Sequence, residues 1–211
     1  MSSLTAISLL NGWECYDWRN GYTILQHVHR KEWSDILNVL GLFRLMHSDI
    51  VAKGKGNKSA IAASIDTKFY GLGWVEHKFE TSIVVDQVKS DSPTHAVDCF
   101  HGKIALELEW NNKDPFFDRD LNNFRLLFDL RICEVGVVVT RATSLQAWLN
   151  ANHKTFGKQP GTYSVSTTHM DKLKPKIVGG GAGGCPVMIF AMTPALYVDD
   201  RPTPAPASSA P

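Results

Sequence analysis

The stretch from Asp98 to Trp110, DCFHGKIALELEW, gathers carboxylates at spacings that a metal ion could use. From Lys103 onward the apolar Ile104, Leu106, Leu108 and Trp110 alternate with Lys103, Ala105, Glu107 and Glu109. Strand side chains alternate between faces with period two, so this is the pattern of a half-buried strand whose second face carries charged groups. With His101-Gly102 as the two-residue turn of a hairpin over 95–110, Asp98 lies opposite Ala105. It then shares a face with Glu107 and sits diagonal to it, roughly 7–8 Å away between α-carbons. Carboxylates converging on one face repel one another unless something positive sits among their oxygens, and a hard divalent ion such as Mg²⁺ is the simplest candidate. The alternative is an ordinary solvated sheet face. Against it stands the alignment of like charges, which destabilises a sheet, with Lys103 the lone cation of the stretch.

The elements that would position these groups can be read on either side. Apolar recurrence over residues 22–46 suits one amphipathic helix or two short ones, and residues 59–71 a further helix ended by Gly71 and Gly73. A polar loop carrying Lys53, Lys55 and Lys58 lies between them. Residues 75–88 read as strand, followed by the hairpin and by a Phe/Leu-rich helix from Phe117 to Leu130. VGVVVT (135–140) is short, continuous and β-branched, as a central buried strand is. A helix should start at Thr143 or Ser144 with either as N-cap, a short one near 166–173, and a last strand over 186–192 after the glycine run 179–184. This order describes an α/β fold, a mixed central β-sheet flanked by helices. Residues 1–198 are expected to form a single domain, and the Pro/Ala/Ser-rich 199–211 a disordered tail.

Composition excludes several classes. With 44% hydrophobic and 20% charged residues over 211 positions, the chain is built like a water-soluble globular protein. No apolar run approaches the ~20 residues of a membrane helix, and no basic leader precedes the first apolar segment. Cys15, Cys99, Cys133 and Cys185 are far apart without metal-ligand spacing, as expected of reduced thiols in a cytoplasmic protein. His95, His101 and His153 show no ligand spacing with one another, so structural zinc is not expected. The glycine run is no phosphate loop, since no Lys-Ser/Thr follows it. A net charge of +1 leaves a nucleic-acid partner open, because an acidic metal site cancels a basic face in the total.

Asp98, then Glu107-Leu108-Glu109-Trp110, then Asn112, Pro115 and Phe116 resemble the active-site signature of the BglII/BstYI-like restriction endonucleases, a branch of the PD-(D/E)xK nuclease superfamily. Glu109 departs from the lysine usual in the superfamily, but glutamate or glutamine is the habit of this branch. Trp33-Ser34-Asp35-Ile36 on the first long helix, Gly73-Trp74 after the next, and VGVVVTRATSLQ extend the resemblance over about residues 8–195. It implies a restriction-endonuclease-like core and a Mg²⁺-dependent homodimer that cuts double-stranded DNA at a short palindrome, with a GATC-centred site suggested by the resemblance alone. Asp98 and Glu107 would hold the metal and Glu109 would orient or deprotonate the attacking water. The Phe117–Leu130 helix is a candidate for the dimer interface.

DNA is held through phosphates and specified through base edges. By the resemblance, base readout falls to Asn112 and the Arg141–Ser144 turn: Arg141 to guanine, Asn112 to adenine, and Thr143 and Ser144 to a base unless they cap the helix. Phosphate contacts are expected from Lys53, Lys55 and Lys58, with Lys172, Lys174 and Lys176 a second cluster. Lys103 either neutralises phosphate or guards a strand edge. Two other functions fit the same core: a nuclease of this superfamily acting in repair or on modified DNA, and a catalytically silent DNA-binding protein. Three mutually repelling carboxylates kept together argue against the silent protein.

Overall fold

A computed structural model describes residues 3–52 and 58–202. The expected α/β architecture is present: a mixed seven-stranded sheet in the order β1-β2-β8-β7-β6-β5-β4. In chain order the elements begin with β1 (Thr5–Ile7), β2 (Trp13–Trp18), α1 (Gly21–His27), α2 (Arg30–Leu42), β3 (Leu45–Met46), α3 (His47–Val51) and α4 (Ala60–Gly71). They continue with β4 (Val75–Val85), β5 (Val88–His101), β6 (Ile104–Leu108), α5 (Pro115–Asp129) and β7 (Val135–Arg141). The last are α6 (Thr143–Ala151), α7 (Met170–Val178), β8 (Val187–Met192) and β9 (Tyr197–Val198), with β3 and β9 forming a small parallel pair.

The three central strands β6, β7 and β8 run parallel, and antiparallel β5 and β2 flank them. Parallel strands are covered on both faces, which is why β7 and β8 are apolar at nearly every position. Their alternation sends side chains into two separate cores. Ile104, Leu106, Val137, Val139 and Phe190 pack with α1–α4 and α6. Ala105, Val138 and Ile189 pack with α5 and α7. Gly136 sets the spacing of the second layer: a Cβ there would collide with the Phe124 ring, so α5 lies close against the sheet.

Several expectations need correction. The hairpin turn is Gly102-Lys103, not His101-Gly102, and pairs Phe100 with Ala105 and His101 with Ile104. Gly102 has φ +57°, and a side chain there would meet Glu32 Oε1 at 2.8 Å, so glycine answers both the turn and the close approach. The charged face of β6 is not solvated: all five residues of β6 are buried. Ala142, rather than Thr143 or Ser144, is the N-cap of α6. α7 begins at Met170, later than expected, and continues through Pro175. The strand expected over 75–88 contains a turn at Asp86-Gln87, where both residues have positive φ, so β5 starts there and is far longer than the hairpin required. β1 and β2, which extend the sheet beyond β8, gave no recognised signal.

All four cysteines are buried and free. Among the described residues no helix is long and apolar enough to cross a membrane. Of the expected tail, Asp200 accepts hydrogen bonds from Ser48 N and Oγ, while residues 203–211 lie outside the described residues.

Candidate active site

The site forms where β5 parts from β6. The two strands pair as far as Cys99 opposite Leu106, and at the next step a side chain replaces the backbone ladder. Leu108 N donates to Asp98 Oδ2 at 3.0 Å, and Asp98 N approaches Glu107 Oε2 at 3.4 Å. Asp98 is therefore interlocked with Glu107 itself rather than set diagonally to it across Ala105, a closer convergence than the sequence suggested. Glu109 follows as β6 ends, its N–H bonded to Val139 O of β7 at 2.8 Å. Its side chain is 1% exposed and accepts a hydrogen bond from Asn112 Nδ2 at 2.8 Å.

Asp98 and Glu109 line a cleft of about 370 Å³, whose walls include Lys58, Asn112, Phe116 and Arg119. Glu107, 1% exposed, is set deeper. Withdrawal from water raises the pKa of each of these carboxyls. Burial pushes Asp98 up to about 6 against the Leu108 N–H, which favours the anion. Burial and then the neighbouring Asp120 push Glu109 up to about 9. Glu107 is raised well above the usual carboxylate range by burial, Asp120 and Asp98. Such a group of acids is short of positive charge, and two oxygen-bearing side chains on Asp98 and Glu107 are the donors a hard divalent cation prefers.

Four residues at the site escaped the sequence reading. Asp120 of α5 is fully buried, and its Oδ1 accepts from Arg119 NH2 at 2.9 Å. His95 of β5 places Nε2 3.1 Å from Glu107 Oε1 and 3.2 Å from Asp120 Oδ1. Arg119 lies 3.6 Å from Glu109 Oε1 and stacks over Phe116, with 4.3 Å from guanidinium to ring centroid. Asp66 of α4 is 1% exposed and anchors Lys58 at the cleft wall by an ion pair. Burial works against the Lys58 charge, but Asp66 outweighs it and the lysine stays cationic. The available signal was an acid inside an apolar stripe: Asp120 sits among Phe117, Leu121 and Phe124, and Asp66 between Ile65 and Phe69.

The remaining candidates fall in different places. Lys103 does not stand beside the carboxylates: it occupies the hairpin turn and pairs with Glu134 at 2.7 Å, so among the described residues the cleft's cations are Lys58 and Arg119 instead. Arg141 is fully buried, its NH2 bonded to Thr167 Oγ1 at 2.7 Å and Thr168 O at 2.8 Å, between the rings of Trp110 and Tyr163. Contact with a guanine would require leaving that cage. Thr143 is exposed and donates to Asp171, and exposed Ser144 approaches Glu14 Oε1 at 3.4 Å. Asn112 is half-buried at the cleft. Lys53 and Lys55 lie outside the described residues.

Residues 13–192 match the family model of the restriction endonuclease BglII/BglIII. The chain belongs to that family. The match spans the whole sheet from β2 to β8 and every site residue described above, so the BglII-type reading made from the catalytic stretch holds across the fold. No curated protein matches the chain. Membership in the BglII/BglIII family makes the protein a type II restriction endonuclease, a site-specific nuclease acting on DNA.

Proposed function

We propose that this restriction endonuclease hydrolyses double-stranded DNA at a short palindromic site, depends on Mg²⁺, and works in the cytoplasm as a homodimer. The observation that carries the reading is the interlocked Asp98–Glu107 pair with Glu109 one step further along β6. Asp98 and Glu107 would hold the cation, because they offer hard oxygens whose anionic form burial disfavours until a positive charge arrives. When bound, Mg²⁺ polarises the scissile phosphate and lowers the pKa of water.

This chain's own residues do the rest. Glu109 takes or orients the proton of the attacking water, and Asn112 fixes its carboxylate by donating to Oε2. Arg119 and Lys58 offset phosphate charge at the cleft walls. Lys53 and Lys55 would add phosphate contacts beside Lys58, with Lys103 more distant. Asn112, Thr143 and Ser144 are the accessible candidates for base readout, and Arg141 can join them only if its buried cage opens. Asn112 would couple readout to chemistry, since it already bonds the catalytic glutamate. Palindromic DNA matches the two-fold symmetry of a dimer, and a GATC-centred sequence is the first site to try.

The test is digestion of unmethylated phage-length DNA with purified protein, with Mg²⁺ or EDTA, followed by sequencing of fragment ends. Discrete Mg²⁺-dependent fragments sharing one palindrome support the proposal and give the site. Cleavage confined to damaged or modified DNA assigns the chain to repair or modification-dependent work. Intact DNA under every condition, with binding retained, identifies a silent member.

A further inference from the structure

His95, Glu107 and Asp120 meet against α5, next to the cleft that Asp98 and Glu109 line. We infer that they form a second cation site, selective for a divalent first-row transition ion such as Mn²⁺ over Mg²⁺, with Glu107 shared between it and the catalytic pair.

The geometry fits coordination. Ligand atoms bound at about 2.0–2.2 Å to one ion stand roughly 3.0–3.4 Å apart at octahedral or tetrahedral angles. His95 Nε2 lies 3.1 Å from Glu107 Oε1 and 3.2 Å from Asp120 Oδ1. All three ligand atoms fall within 4.8 Å of one another. A single imidazole N–H cannot be directed fully at two carboxylate oxygens, whereas a nitrogen lone pair and two oxygens facing one ion can all be used.

A second observation points to a ligand. Asp120 is fully buried with Oδ1 held by Arg119, and the group without partners is its neighbour on α5. Asn123, 3% exposed, leaves both amide atoms unpartnered among the described residues, in the same recess that His95 lines. Buried polar atoms without partners are costly, and a hydrated ion supplies partners for such groups. Entry is available at His95: the recess, about 310 Å³, is bounded by His95, Arg119 and Asn123, and Arg119 is also a wall of the cleft. Mixed imidazole and carboxylate donors favour Mn²⁺, Fe²⁺ or Zn²⁺, while Mg²⁺ prefers oxygen ligands and keeps its water. Glu107 thus divides its oxygens, Oε2 toward Asp98 and Oε1 toward His95.

The test needs no DNA, so its result is independent of the cleavage experiment. Metal-stripped full-length protein is loaded with Mn²⁺ in the presence of excess Mg²⁺, and pulsed EPR reads the ¹⁴N coupling of a directly bound imidazole. The expected result is a retained Mn²⁺ with ¹⁴N coupling that persists in Asp98→Asn and disappears in His95→Gln and in Asp120→Asn. Circular dichroism confirms that His95→Gln is folded, and this partly exposed position decides the matter if Asp120→Asn unfolds. Mn²⁺ without ¹⁴N coupling in the wild type, coupling that survives in folded His95→Gln, or complete displacement by Mg²⁺ would overturn the inference.

Discussion

Along β6 the side chains enter two interiors that are equally dry and chemically opposite. Ile104, Leu106 and Leu108 face an apolar core, while Glu107 faces α5, where it meets a histidine and an aspartate. Ile104, Leu106, Leu108, Glu107 and Asp120 are all 4% exposed or less. On the first face burial stabilises the fold through apolar contact. On the second it withdraws charge from water and stores a demand for cations. Strand geometry joins the two, since one residue of register exchanges the faces outright.

The sharpest way to break this contrast is to exchange the effects. Glu107→Gln should lower DNA cleavage by at least about 10³-fold, the upper range for loss of one electrostatic group. Its thermal midpoint in EDTA should equal or exceed that of the wild type, because a buried repelling acid has gone. Leu106→Ala should do the reverse, losing about 2–5 kcal/mol of stability in chemical denaturation while cleavage per folded molecule stays within a few-fold. Were Glu107→Gln to unfold the chain, the division of labour between the faces would be wrong.

Next in size is Glu109→Gln, expected to reduce turnover by about 10²–10⁴-fold with substrate binding in Ca²⁺ little changed. A pH series sharpens the same point. Unfolded carboxylates titrate near 4, whereas folded Asp98 and Glu109 titrate at about 6 and about 9. Between those values the folded chain holds more protons than the unfolded one, so the stabilisation is full below about pH 4 and fades as pH rises. Thermal midpoints in EDTA should therefore decline from pH 5 to pH 9. Glu109→Gln should flatten the upper part of that decline, and a saturating divalent cation should remove most of it.

Arg141→Lys comes after these. It loses bonds to Thr167 and Thr168 and the stack between Trp110 and Tyr163, with an expected cost of about 1.5–3 kcal/mol and an unchanged cleavage sequence. Relaxed specificity in fragment-end sequencing would instead show that the cage opens on DNA. Lys103→Ala should be smallest, within about 1 kcal/mol and with cleavage unaltered, as for an exposed ion pair at a turn.

The catalytic strand was legible because period-two alternation is strong and its acids are close in sequence. The mixed sheet, the central VGVVVT strand and α4 followed from equally local patterns. The hairpin turn was displaced by one residue because the glycine in His-Gly-Lys suits either position, and the hydrogen bond of His101 to Glu32 of a distant helix is invisible locally. Asp120 and His95 were missed for a different reason. They lie 13 and 12 residues from Glu107, on another helix and another strand, so nothing local marks them as partners. Arg141 was a candidate base reader through the resemblance alone, which carries no packing information. Here Trp110 and Tyr163, distant in sequence, enclose it.

Gly136 carries no functional group, yet it tunes the chemistry from a distance. Phe124 rests where its side chain would be, one helical turn beyond Asp120 on the same α5. A methyl group there acts as a wedge: it lifts the helix, and Asp120 and Arg119 travel with the helix away from Glu107 and Glu109. The part of the Glu107 and Glu109 shifts that comes from Asp120 is thus set by the thickness of a neighbouring strand. Gly136→Ala would read out as a pH-profile mutant although it touches no ionisable atom.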